Sequence, residues 1–184
     1  MKSRKIVAIL NILLGGIAIA SIGLVTADDK PPKNPVVSAK DASIERTRKQ
    51  VKMLDDIYKG SIVLVTKNYV NNENDIAAGT AFKQIFAIAK EKGWHEVRLV
   101  DATGDPIEPE NAPRDGFEKR AIEALKSGKT FVDEVVEKKS GSFLEVATPI
   151  PVVMDKCIMC HEHYRNVAKG VPIGALVYSV PLQD

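Results

Sequence analysis

The chain has little of what most catalytic or metal-binding chemistry is built from: two cysteines, three histidines and one tryptophan in 184 residues. Aromatic residues make up 5% of it, and no basic stretch interleaved with aromatic rings occurs. The formal net charge is +2, of which Lys2, Arg4 and Lys5 contribute three positive charges within the acid-free residues 1–27; without them the body stands at −1. A near-neutral body of this kind argues against nucleic acid as a partner. There is no Gly-x-Ser-x-Gly elbow, no Gly-rich phosphate loop ahead of a helix, no kinase signature, no internal repeat and no low-complexity tract. Glu108, Glu110 and Asp115 could be drawn as a catalytic acid pair, but they stand beside prolines and read as solvated loop charges.

What is present fits one globular domain plus a short extra segment. Apolar residues make up 45% and charged residues 27%, which supports a packed core. The first residues are positive, Ile6 to Val25 is largely apolar, and Val25-Thr26-Ala27 precedes Asp28. This predicts a signal peptide over residues 1–27, cleaved after Ala27. The apolar run is also long enough to stay as a membrane tether through residues 6–25. Either way the body is delivered to the periplasm or an equivalent extracytoplasmic space.

Residues 28–42 combine three prolines with charged and small residues and read as a flexible linker. In the domain that follows, 43–184, the residues Ile44, Val51, Leu54, Tyr58, Ile62, Val65 and Tyr69 recur at helical spacing, predicting a long helix from Ser43 to about Val70. Its apolar stripe is expected to pack on the domain; a dimerising or signal-relaying role is the alternative. A second helix is expected over 76–92 with Phe82, Ile85, Phe86 and Ala89 inward, stopped by Gly93. Glu96 to Asp101 reads as a strand, and Thr103 to Arg114, with Gly104, Pro106, Pro109 and Pro113, as an irregular loop. Pro113 and Asp115 open a helix that Ser127-Gly128 ends. Thr130–Lys138 and Ser142–Val153 form a hairpin about Lys139-Ser140-Gly141, and Gly174–Leu182 is the last strand. The class is α+β, an antiparallel sheet of about five strands flanked by helices.

Cys157-Ile158-Met159-Cys160-His161 is the one highly specific motif. Two cysteines three apart with histidine next are the attachment pattern for c-type haem. Both sulfurs reach the two vinyl groups of one porphyrin, and His161 then meets the iron as its proximal ligand. Three other readings compete: a structural disulfide, a redox pair, and zinc held with His161 or His163. A loop this short staples little, the strand-helix-strand context of a redox pair is absent, and a second cysteine pair for zinc is lacking. His161 and His163 are also too close for a helical zinc-protease pair. His163 is read as exposed, and His95 as a capping or packing residue at a strand entrance.

The run Pro109-Glu110-Asn111-Ala112-Pro113-Arg114-Asp115-Gly116-Phe117-Glu118, with Thr148-Pro149-Ile150, Cys157 to His161, Gly174-Ala175 and Pro181, resembles the PAS-like c-type haem domain of cyanobacteria and bacterial sensor ectodomains. The resemblance covers roughly residues 43 to 182. It implies a PAS-like five-stranded antiparallel sheet with helices packed on it, haem near the last strand, and His161 as proximal ligand. Members of that family can use an upstream cysteine as second axial ligand, and this chain has none to spare. His95, His163, Met53, Met154 and Met159 are the remaining distal candidates, Met53 and His95 the only two able to approach from the far side; Met53 is nonetheless expected to fill the core. One covalent haem c, and an electron carrier with a redox partner protein, is the leading expectation. A module that senses redox state or a small gas, through a partner chain, is second, and a haem enzyme such as a peroxidase a distant third. A homodimer through the 43–70 helix is a further expectation.

Overall fold

Ser38 starts the first helix by accepting a hydrogen bond at its side-chain oxygen from the Asp41 backbone N–H (3.1 Å), while Asp41 places negative charge at the helix N-terminus. In the computed structural model, which describes residues 38–72 and 75–183 apart from the Cys160 side chain, this helix, α1, runs Ala39–Tyr69. Its first turn therefore takes in residues expected to be linker. The leader 1–27 and the rest of the linker lie outside the described residues. Among those described, no helix is long and apolar enough to cross a membrane.

After α1 come α2 (Ala78–Glu91), β1 (Glu96–Asp101), α3 (Phe117–Lys126), β2 (Val132–Lys138), β3 (Gly141–Pro151), α4 (Asp155–Cys160) and β4 (Pro172–Pro181). Short 3-10 turns cover Pro109–Asn111 and Glu162–Asn166. The strands are ordered β1-β4-β3-β2 and all pairings are antiparallel. The described sheet thus has four strands where about five were expected: each of the four segments read as strands in the sequence forms one, and no further strand occurs among the described residues.

β4 lies inside the sheet and is covered on both faces, so it is buried from Pro172 to Val180 and reads as a continuous apolar run. Its side chains alternate between two cores. Leu176, Tyr178 and Val180 join Leu144, Val146, Val97, Phe82, Phe86, Val51 and Tyr58 under α1 and α2. Ala175 and Val177 join Val100, Ala121, Ile122 and Leu125 under α3. Gly174 is required where β4 meets β1, since a Cβ there would stand 2.9 Å from the Val100 carbonyl oxygen.

The first core also holds a satisfied polar group. Asp55 on α1 accepts from the Thr148 hydroxyl (2.6 Å) and the Tyr178 hydroxyl (2.9 Å), and pairs with Lys59 (2.9 Å). This fixes α1 over β3 and β4. Tyr69 and Ile85 leave the apolar faces assigned to them and are exposed, and so is Met53, 54% accessible, which corrects its reading as core filler. The Pro109–Glu118 run is an anchored turn: Arg98 on β1 pairs with Glu118 and donates to the Glu110 carbonyl (2.6 Å), and Glu118 accepts from the Arg114 backbone N–H (2.7 Å). Gly116, at φ 83, makes the turn into α3 that a side chain would strain.

Candidate functional site

The strand pair β3–β4 ends at Pro151↔Pro172, and the chain between those residues leaves the sheet to carry the cysteine motif. Asp155 opens α4 with a negative charge in its first turn, and the Cys157 backbone N–H closes that turn on the Met154 carbonyl (3.1 Å). Lys156 attaches α4 to the body. Its ammonium group donates to the carbonyls of Lys67 (3.0 Å), Thr66 (3.5 Å) and Val70, the last carbonyls of α1 and its cap. A cation at a helix C-terminus satisfies carbonyls that have no partner within the helix and suits the helix dipole.

Cys157 and Cys160 both lie on α4 and His161 is its C-terminal cap, so the motif occupies one short helix and its exit. Cys157 is a partly buried free thiol. At His161 the backbone turns, and the Tyr164 N–H bonds the His161 carbonyl (2.9 Å) to begin the 3-10 turn. That turn stacks the Tyr164 ring on the His161 imidazole, with centroids 4.7 Å apart at 15°. His163 packs edge-on against both, 5.9 Å from His161 at 77° and 4.2 Å from Tyr164 at 63°.

His161 Nδ1 and His163 Nε2 are buried and have no hydrogen-bond partner among the described residues. Unpaired buried polar atoms are uncommon and costly, and they mark places where a protein does chemistry. His163 is therefore part of the cluster and not the exposed residue expected of it. Burial, and then the neighbouring His163, lower the pKa of His161, which keeps its imidazole neutral with a lone pair for a metal. Burial, with Asp101 and Cys157 nearby, raises the Tyr164 hydroxyl to about 12. Among the described residues no group of three or more His, Cys, Asp or Glu is placed to hold a metal ion by itself.

His95 stands apart from this cluster. It is buried, and its Nε2 meets the Tyr58 hydroxyl at 3.0 Å, in line with a packing role. Glu110 pairs with Lys83 and Asp115 with Lys119, both exposed, as solvated loop charges do. Met154 and Met159 flank or lie within α4 and are partly buried. The residues missed in the sequence are Lys156, which joins α4 to α1, and Tyr164, which holds both imidazoles. The only available signal for Tyr164 was its spacing three residues after His161.

No curated protein matches the chain. Its fold is similar to the crystal structure of the cyanobacterial haem protein Tll0287, with a TM-score of 0.51 and 16% identity over 78% of this chain and 97% of that one. At that identity the likeness is one of fold. The model of the Tll0287-like family matches residues 36–175, most of the chain, and the protein is a member of that family.

Proposed function

We propose that the protein carries one haem c, bound covalently through Cys157 and Cys160 with His161 on the iron, and that it passes single electrons to a redox partner protein outside the cytoplasm. The carrying observation is the His161 imidazole at the exit of the paired-cysteine helix, in a cluster whose buried nitrogens find no hydrogen-bond partner among the described residues. Membership of the Tll0287-like family, and the fold shared with a haem protein, support the same reading. So do Val153 and Val171, exposed apolar residues flanking the motif at the paired ends of β3 and β4, and Tyr69, exposed beside the α1 carbonyls that Lys156 caps. These offer apolar surface of the kind that a porphyrin covers.

When bound, the haem supplies one-electron iron chemistry and, at an open sixth position, a place for a small gas. The chain's own residues supply placement. Lys156 pins α4 to α1, and Tyr164, stacked on the His161 ring, fixes its plane. The cysteines have no second role to play, so the sixth ligand has to come from elsewhere. Met53 points to solvent and His95 is bonded to Tyr58, which leaves neither prepared to be that ligand.

The Lys156 joint favours a second reading, a redox or gas sensor, because any movement of α4 is felt directly at the C-terminal end of α1. In either case the leader 1–27 exports the body, and cleavage after Ala27 leaves Asp28 as the first residue. Met53, Ile57 and Leu64, exposed at helical spacing on α1, support pairing of two copies through that helix. Absorption spectra of the reduced protein with and without carbon monoxide separate the readings. A low-spin spectrum that ignores the gas fits an electron carrier, a gas-bound spectrum fits a sensor, and absence of any haem spectrum from cells able to mature c-type cytochromes contradicts both.

A further inference from the structure

A histidine that ligates a metal through one ring nitrogen has a second nitrogen to satisfy, and the partner of that second nitrogen orients the ring and tunes its basicity. Among the described residues no carboxylate is that partner. Asp101 uses its two oxygens on the Thr103 hydroxyl (2.8 Å) and the Gly104 backbone N–H (2.6 Å). Glu162 is exposed and paired with Arg165 (3.8 Å), and Lys156 has only donors, all directed at α1. His161 Nδ1 is buried without a partner, and the one other side-chain polar atom in that state among the described residues is His163 Nε2. The 3-10 turn that bonds Tyr164 N–H to the His161 carbonyl brings the two rings to 5.9 Å, edge to face, with Tyr164 against both.

Building on the haem reading above, we infer that His163 is the positioning residue for the iron ligand: with His161 Nε2 on the iron, the two nitrogens, which are not bonded to each other in this structure, close so that His161 Nδ1–H donates a hydrogen bond to His163 Nε2. One bond then satisfies both buried nitrogens. His163 keeps its own proton on Nδ1, and no proton is gained or lost. The bond fixes the rotation of the His161 ring that Tyr164 already holds in plane. It also makes His161 a more basic ligand, which favours the ferric state and lowers the reduction potential.

The test compares the haem-loaded full chain with its His163→Ala and His163→Gln variants by redox titration, with resonance Raman spectra of the ferrous forms. Both variants should carry covalent haem as the parent does. In His163→Ala the midpoint potential should rise, and any iron–histidine stretching band should move to lower frequency. In His163→Gln, whose amide oxygen can accept where Nε2 did, both should return toward the parent. If His163→Ala does not mature, His163→Phe takes its place, since it keeps a ring against Tyr164 and lacks an acceptor. An Ala or Phe variant with the parent's potential, or a Gln variant no closer to the parent than Ala or Phe, overturns the inference. Failure of the haem reading looks different: no chain carries haem, the parent included.

Discussion

β4 and the segment that leads into it handle burial in opposite ways. From Pro172 to Val180 every residue is buried, and the polar groups against that strand are answered from within the protein, as Tyr178 is by Asp55. From Asp155 to Asn166 no described residue is fully buried, yet the two side-chain nitrogens that are buried without partners among the described residues lie there. The sheet with its helices is thus a framework closed on itself. The α4 segment keeps its chemistry open, and Lys156 joins it to the C-terminal end of α1.

This contrast predicts that the two regions fail separately. The largest effect is expected in the framework: Leu144, fully buried on β3, should cost about 3 kcal/mol of stability when changed to alanine, read from denaturant unfolding. The haem content of the folded fraction should not change. A Leu144→Ala protein that folds but loses haem would erase the division between the regions.

At the joint a smaller effect is expected. Lys156→Ala removes the donors to the carbonyls of Thr66, Lys67 and Val70, and should cost about 1 kcal/mol, since the contact is only part-buried. Hydrogen exchange should quicken in the last turn of α1 and in α4 while the middle of α1 stays protected. Faster exchange around Asp55 as well would mean that the joint supports the framework and not only the segment.

The smallest effect concerns pH. Burial lowers the pKa of His95 below its ordinary value of 6.5. As pH falls past 6.5 the unfolded chain takes up a proton that the folded chain resists, so the contribution of His95 to stability is held above that pH and declines below it. His95→Gln should flatten this part of the stability profile. An unchanged slope would place the proton uptake elsewhere, with the histidines of the α4 segment the next to examine.

The parts of the molecule readable in advance are those where local chemistry and tertiary packing agree. The hairpin turns at Lys139-Ser140, Gly93 and Gly128 end their helices at positive φ, and the alternation along the strands matches the sheet. The start of α1 was also readable, because Ser38 and Asp41 form a capping pattern, but the prolines before it drew the boundary later. Met53 and Ile85 were misplaced because both helices carry apolar residues on a second face, and periodicity alone does not say which stripe meets the sheet. α4 and the 3-10 turn after it are too short for periodicity to register. The cysteine motif was plain in the sequence as a chemical pattern. Its surroundings were not: the Lys156 joint spans about ninety residues, and the closeness of His163 to His161 depends on a turn that no residue preference announces.

The central claim, covalent haem on Cys157 and Cys160, is tested most directly by peroxidase staining of the chain on a denaturing gel after expression in cells that mature c-type cytochromes. The account predicts a stained band at the mass of the chain, and an unstained band at the same position for the Cys157→Ser, Cys160→Ser double variant. A colourless band from the unaltered protein would contradict it.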